Sequence, residues 1–166
     1  AAEAAQGDIC QAANDNDPAQ VVVSGTKAAV ELAVEIAKAK GAKRALLLPV
    51  SAPFHCALMA PAAEVMARAL TDVAVQAPAV PLVANVLAEA VSDPSAIKAL
   101  LVDQVTGSVR WRESVMYMAA QGVTEVYEIG AGKAMSGMVK RIDRGIACKP
   151  VGTADDVASA AAALTN

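Results

Sequence analysis

Aromatic side chains are scarce: one Trp, two Tyr and one Phe among 166 residues. A core of stacked rings is therefore excluded. Residues of the hydrophobic class make up 55%, much of it alanine, so the core is expected to be Ala, Val and Leu in close-packed helices and strands. A basic excess is also missing. Lys and Arg number 14 against 17 Asp and Glu, for a net charge of −3, which gives no general footprint for nucleic-acid phosphates. At 19% charged, the chain is too apolar for a disordered tail or a charged linker. No uninterrupted apolar run approaches the roughly 20 residues of a membrane span, because Lys, Glu or Pro breaks the longest candidates. Cys10, Cys56 and Cys148 are widely spaced and form no CxxC pair. That argues against a structural zinc site and a disulfide framework, and a reducing, cytoplasmic setting is expected. Ala1–Gly7 has no initiator Met, no basic n-region and no apolar h-region, so it reads as the last turns of a helix rather than a signal peptide.

What is present is an alternation of apolar runs and helical patterns. Residues 20–24 read as a strand. Thr26 can cap a helix over 27–40 that stops at Gly41, and residues 44–50 read as the next strand of a small β-α-β unit. The aperiodic loop 51–56 feeds a helical stretch to about Thr71. A short strand follows over 80–86, and Asp93-Pro94 opens a helix to about Val105. Helices are expected at 111–121 and from Lys133 to about Asp143, with strands at 125–129 and 148–152. Thr153-Ala154-Asp155-Asp156 resembles a capping box for an alanine-rich terminal helix. Strands alternating with helices predict an α/β fold with a largely parallel sheet.

Few residues can carry chemistry. His55 is the only histidine, so any imidazole chemistry uses it. A helix start disfavours a cation, so the ring there is expected to be neutral and able to accept a proton. The same position also suits a partly buried histidine satisfied by a backbone carbonyl. No carboxylate or second imidazole stands at ligand spacing from it, so no metal site is expected. Gly130-Ala131-Gly132-Lys133 follows a strand and opens a helix. It reads either as a tight turn or as an anion-binding turn, and its spacing is not that of a P-loop. Lys140, Arg141 and Arg144 form a basic helix end, either a solvated face or a landing point for an acidic partner. Asn14–Pro18 is expected to be a polar loop of Asx-turns, and Gln104 a polar residue near a helix end. No serine stands in a glycine-flanked elbow. These residues leave open a stand-alone α/β interaction module and an anion-binding module.

Taken together, four ordered segments resemble a known family. Asn14-Asp15-Asn16-Asp17-Pro18-Ala19-Gln20-Val21-Val22 is similar to its N-x-N-x-P-x-Q-V-V segment, and residues 48–59, Leu-Pro-Val-Ser-Ala-Pro-Phe-His-Cys-Ala-Leu-Met, to its histidine segment. Gln104 with Val109-Arg110-Trp111 resembles its Q-x(4)-V-R-W segment. Glu128-Ile129-Gly130-Ala131-Gly132-Lys133 resembles its E-[IV]-G-P-G-K turn, with Ala131 where Pro is usual. The family is the malonyl-CoA:acyl-carrier-protein transacylases of bacterial fatty acid synthesis.

The resemblance implies a C-terminal part of an α/β-hydrolase-like acyltransferase core plus most of a small ferredoxin-like lobe. Residues 1–49 would be the partial small lobe, lacking its first strand, and 50–166 the return to the large lobe. It implies malonyl-CoA as substrate, the phosphopantetheine thiol of acyl carrier protein as acceptor, and no further cofactor. His55 would be the general base, oriented by the main-chain carbonyl of Gln104. Phe54 would crowd an α-methyl branch and favour malonyl over methylmalonyl. Asn14 and Asn16 would support or contact substrate at the mouth of the site. The family's G-H-S-x-G serine, its carboxylate-binding arginine and its glutamine loop have no counterpart in these residues. The chain is therefore expected to lack the N-terminal half, to form no acyl-enzyme by itself, and to leave sheet edges and apolar faces uncovered.

Overall fold

The computed structural model describes residues 1–165. A short helix α1 (Ala2–Ala5) leads into a hairpin of β1 (Cys10–Asp17) and β2 (Gln20–Gly25). The β-branched run Val21-Val22-Val23 suits β2. The turn forms because the Asp17 carboxylate accepts the N–H of Ala19 at 2.8 Å, an Asx-turn as expected. The rest of the polar segment departs from the expected loop: residues 14–17 are strand. Two bulges, at Ala13 and Asn16, let this polar stretch keep its ladder to β2. The other edge of β1 is paired as well. Val109 donates its N–H to the Ala13 carbonyl at 2.8 Å and accepts from Asp15 at 2.9 Å. Pairing on both edges, made by a segment nearly 100 residues away, is what local sequence could not indicate.

Helix α2 (Lys27–Ala39) starts at Thr26, whose hydroxyl accepts the N–H of Ala29, and it is followed by Gly41 at φ +88°. Its small residues Ala29 and Ala33 pack with Ala4 and Cys10 into a first apolar core, lined by Val23, Val30, Leu32 and Ile36. The expected strand at 44–50 does not form. The chain there carries no regular structure and pairs with no strand among the described residues, and the β-α-β unit stays open. A strand needs a neighbour for its N–H and C=O groups. None is supplied here, and Leu46, Leu47, Leu48 and Val50 stand about half exposed. With α2 this segment lines a groove of about 530 Å³.

A 3₁₀ turn (Ala57–Met59) runs into α3 (Ala60–Thr71). Of the strand expected over 80–86 only β3 (Leu82–Val83) is paired, antiparallel to β4 (Ala90–Val91). Helix α4 (Pro94–Thr106) is capped by Asp93, which accepts the N–H of Ala96 at 2.6 Å. Helix α5 (Trp111–Ala120) precedes Gly122 at φ +85°. Strands β5 (Glu125–Ile129) and β6 (Ala147–Val151) flank α6 (Ala134–Ile142) and pair in parallel. The terminal α7 (Ala154–Leu164) begins with the expected capping box of Thr153 and Asp156. The largely parallel sheet is therefore corrected, among the described residues, to three separate strand pairs, two of them antiparallel. The α/β class stands. A second apolar core of Val115, Val139 and Ile146 gathers Trp111, Met118, Val126, Ile142 and Cys148 around it.

Strand β1 joins the two cores. Arg112 clasps Asp15 with contacts of 3.0, 2.9 and 2.6 Å, and Arg141 reaches the fully buried Asp17 carboxylate at 2.9 and 2.8 Å. Burial pushes the Asp17 carboxyl up, but Arg141 and the N–H groups of Ala19 and Gln20 together hold it below the usual range. A folded-state value below the unfolded one stabilises the fold above the ordinary Asp range, and that gain is lost as pH falls through the folded value. Arg141→Ala should strand this carboxylate and cost roughly 3 kcal/mol, the low end for a broken buried pair because Arg141 is itself half exposed. Urea unfolding at pH 7 measures it, and an unchanged midpoint refutes the assignment.

Candidate active site

His55 occupies the left-handed region at φ +59°, a conformation that residues other than glycine adopt only where surroundings impose it. The surroundings here are specific. Next to it Cys56 is completely buried, and its thiol donates to the Pro53 carbonyl at 3.1 Å. The N–H of Ala57 donates to Gln11 Oε1 at 2.7 Å, which ties the loop to β1. The imidazole is half-buried, and its Nδ1 lies 2.8 Å from the main-chain oxygen of Gln104. A carbonyl can only accept, so Nδ1 carries the proton in that contact and Nε2 is left with its lone pair.

Gln104 sits in the last turn of α4, where carbonyl groups lack helical partners and the helix dipole is negative. The side chain of Gln104 is held too, its Oε1 accepting from Asn85 Nδ2 at 2.9 Å. Asn85 in turn accepts the N–H of Arg110 on its main-chain oxygen at 2.9 Å. The Arg110 guanidinium donates to the carbonyls of Val86 and Leu87 at 3.2 and 3.1 Å and pairs with Glu113.

Of the residues singled out by sequence, His55 and Gln104 are thus in direct contact, and Phe54, which precedes His55 in the chain, is 46% exposed. Asn14 and Asn16 lie half-buried in β1, and no hydrogen bond joins either side chain to His55. Asn14 reaches the neighbourhood through its backbone, bridged to Val109 just before Arg110. Sequence reasoning missed Asn85 and Gln11 altogether. An Asn in a short apolar run and a Gln entering a polar segment carry no local signal of their long-range partners. Among the described residues no group of His, Cys, Asp and Glu lies together as a metal site, and the three cysteines are unpaired.

The model of the acyl transferase domain family matches residues 2–162. The chain belongs to that family. It is 51% identical over 140 residues to the malonyl CoA-acyl carrier protein transacylase of Escherichia coli K12, covering 84% of this chain and 45% of that protein. The crystal structure of acyl-carrier-protein-S-malonyltransferase from Bartonella henselae superposes with a TM-score of 0.95 at 52% identity, covering 99% of this chain and 52% of that one. A malonyl-transacylase solved with a type II PKS acyl-carrier protein matches at a TM-score of 0.92 and 42% identity, covering 96% of this chain and 52% of that one. The chain spans about half the length of the relatives it matches.

In this chain the start of α6 after the glycine turn is already occupied. The Glu128 carboxylate already accepts the N–H of Met135 at 3.0 Å, and the N–H and hydroxyl of Ser136 at 2.7 and 2.5 Å. The Ser136 hydroxyl and N–H, with that of Met135, hold the Glu128 carboxyl below the usual carboxylate range, so an internal anion fills the start of α6. Gly130 and Gly132, at φ +137° and +98°, serve the turn itself. Of the expected basic helix end, Lys140 and Arg141 lie in the last turn of α6 and Arg144 in the turn beyond it; Arg141 is engaged by Asp17, whereas Lys140 and Arg144 are exposed. Calorimetric titration with inorganic phosphate should give no binding heat for the native chain. Saturable binding that Lys133→Ala abolishes would restore the anion-site reading.

Proposed function

We propose that this chain supplies the general base of a malonyl transfer from coenzyme A to the phosphopantetheine thiol of an acyl carrier protein, in fatty acid synthesis. The observation that carries the reading is the 2.8 Å contact between His55 Nδ1 and the Gln104 main-chain oxygen. It sets the tautomer in which Nε2 is basic, and it does so with a neutral acceptor in place of the carboxylate of a hydrolase triad. The relatives named above are malonyl transacylases, and one of them was solved with a carrier protein.

The serine that His55 serves comes from outside these residues, as the length comparison allows. His55 Nε2 takes the serine proton as the oxygen attacks the malonyl thioester carbonyl. The C–S bond breaks, and the imidazolium protonates the departing coenzyme A thiolate. In the second half Nε2 takes the proton of the carrier's thiol. Its sulfur attacks the acyl-serine, and the proton returns to the serine oxygen. Neither the redox state of any group nor a metal enters. The two apolar cores support a division into a small ferredoxin-like lobe over 1–49 and part of an α/β-hydrolase-like large lobe over 50–166. Asn14 and Asn16, whose side chains make no hydrogen bond among the described residues, are left to contact substrate at the mouth. The unpaired thiols fit a reducing, cytoplasmic setting.

The test joins this chain to a nucleophile-bearing segment of the family and follows transfer of labelled malonyl. His55→Ala should reduce the rate about 10²- to 10⁴-fold. The chain alone should show no malonyl adduct by intact mass. Full activity without His55, or a stable adduct on the chain alone, would sink the reading. Selectivity is a separate expectation. Phe54 should crowd a methyl branch, so Phe54→Ala should raise the use of methylmalonyl-CoA relative to malonyl-CoA in direct competition. Equal use of both by the unaltered enzyme removes that role.

A further inference from the structure

We propose that Asn85 is a positioning residue for the transfer, acting on His55 through Gln104; this rests on the reading of His55 as the base. The acceptor that orients the ring is a main-chain oxygen in the last turn of a helix. Such carbonyls have no helical partner, and helix ends fray. At the end of α4 the N–H of Gly107 bonds to the Asp103 carbonyl at 2.9 Å, so the closing turn does not engage the Gln104 oxygen. Something else must keep that oxygen in place, and a neutral acceptor orients only by where it stands.

The side chain of the same residue does this. Its Oε1 is held by Asn85 Nδ2 at 2.9 Å, both residues being half-buried. Asn85 is anchored from its far side, where Arg110 donates to three consecutive main-chain oxygens, those of Asn85, Val86 and Leu87. The same turn presses on the helix end. A Cβ at Gly107 would fall 2.7 Å from Val86 Cγ1 and 2.9 Å from the Asp103 oxygen, so only glycine permits this approach. A line of hydrogen bonds therefore runs from Arg110 through Asn85 and Gln104 to the imidazole. Asn85 touches no reacting atom. It fixes the oxygen that aims Nε2.

The design of the test uses the two parts of Gln104. Gln104→Ala keeps the main-chain oxygen and loses the amide that Asn85 holds. In the enzyme joined to its nucleophile-bearing segment, Asn85→Ala and Gln104→Ala should each lower kcat roughly tenfold, the scale of a displaced base. KM for malonyl-CoA should stay put, and the double variant should be no worse than the weaker single. Asn85→Asp should recover most of the rate, because the Gln104 amide can turn and donate to the new carboxylate. His55 is the only histidine of the chain, so its ¹⁵N imidazole signals in a segmentally labelled enzyme report the tautomer directly. Nδ1–H should dominate in the parent and give way to a mixture in Asn85→Ala, a change that loss of stability alone would not produce. Gln104→Ala carries the same prediction where Asn85→Ala does not fold. Undiminished kcat in both single variants, with His55→Ala inactive, overturns the role of Asn85 and leaves the base reading standing. Additive losses in the double variant also overturn it. An active His55→Ala takes down both.

Discussion

A polar strand clamped by two guanidinium groups holds this chain together. Neither apolar core has more than a few fully buried residues, and those of the first are the small side chains of Ala4, Cys10, Ala29 and Ala33. Their relative placement depends on β1, which belongs to the first core by its hairpin and to the second by Asp15 with Arg112 and Asp17 with Arg141. An unpaired carboxylate as buried as that of Asp17 would cost several kcal/mol. Few other arrangements satisfy it. The constraint is directional as well as strong, because a bidentate guanidinium fixes both distance and angle.

The site inherits this order. Val109 pairs with β1 on one side, and the next residue, Arg110, holds the turn after Asn85 on the other. From there Asn85 holds Gln104, and Gln104 holds His55. The loop bearing His55 is tied back to β1 by Gln11. An imidazole with a positive φ and a single ring contact is thus located by a closed circuit that starts and ends on one strand. Turning the ring away would break its hydrogen bond to the Gln104 oxygen.

The rest of the surface is less settled. The segment 44–50, the exposed Ile129 at the end of β5 and the two-residue pairing of β3 with β4 are pieces of sheet without enough sheet around them. Their apolar side chains stand in water, and their backbone groups lack the ladders that strands normally complete.

The helices and their caps were determined by sequence alone, because they depend on contacts within a few residues. Thr26, Asp93 and Thr153 start helices by bonding to N–H groups three positions on, and Gly41 and Gly122 follow helix ends at positive φ. The motif around His55 and its spacing to Gln104 were legible as a family pattern. The strand character of residues 14–17, the absence of a strand at 44–50 and the capping of α6 by Glu128 of β5 were decided only by tertiary structure. A strand is defined by its neighbours, and those neighbours come from distant segments or are not there. For the same reason Asn85 and Gln11 were invisible: a hydrogen bond across 19 or 46 residues leaves no trace in local spacing.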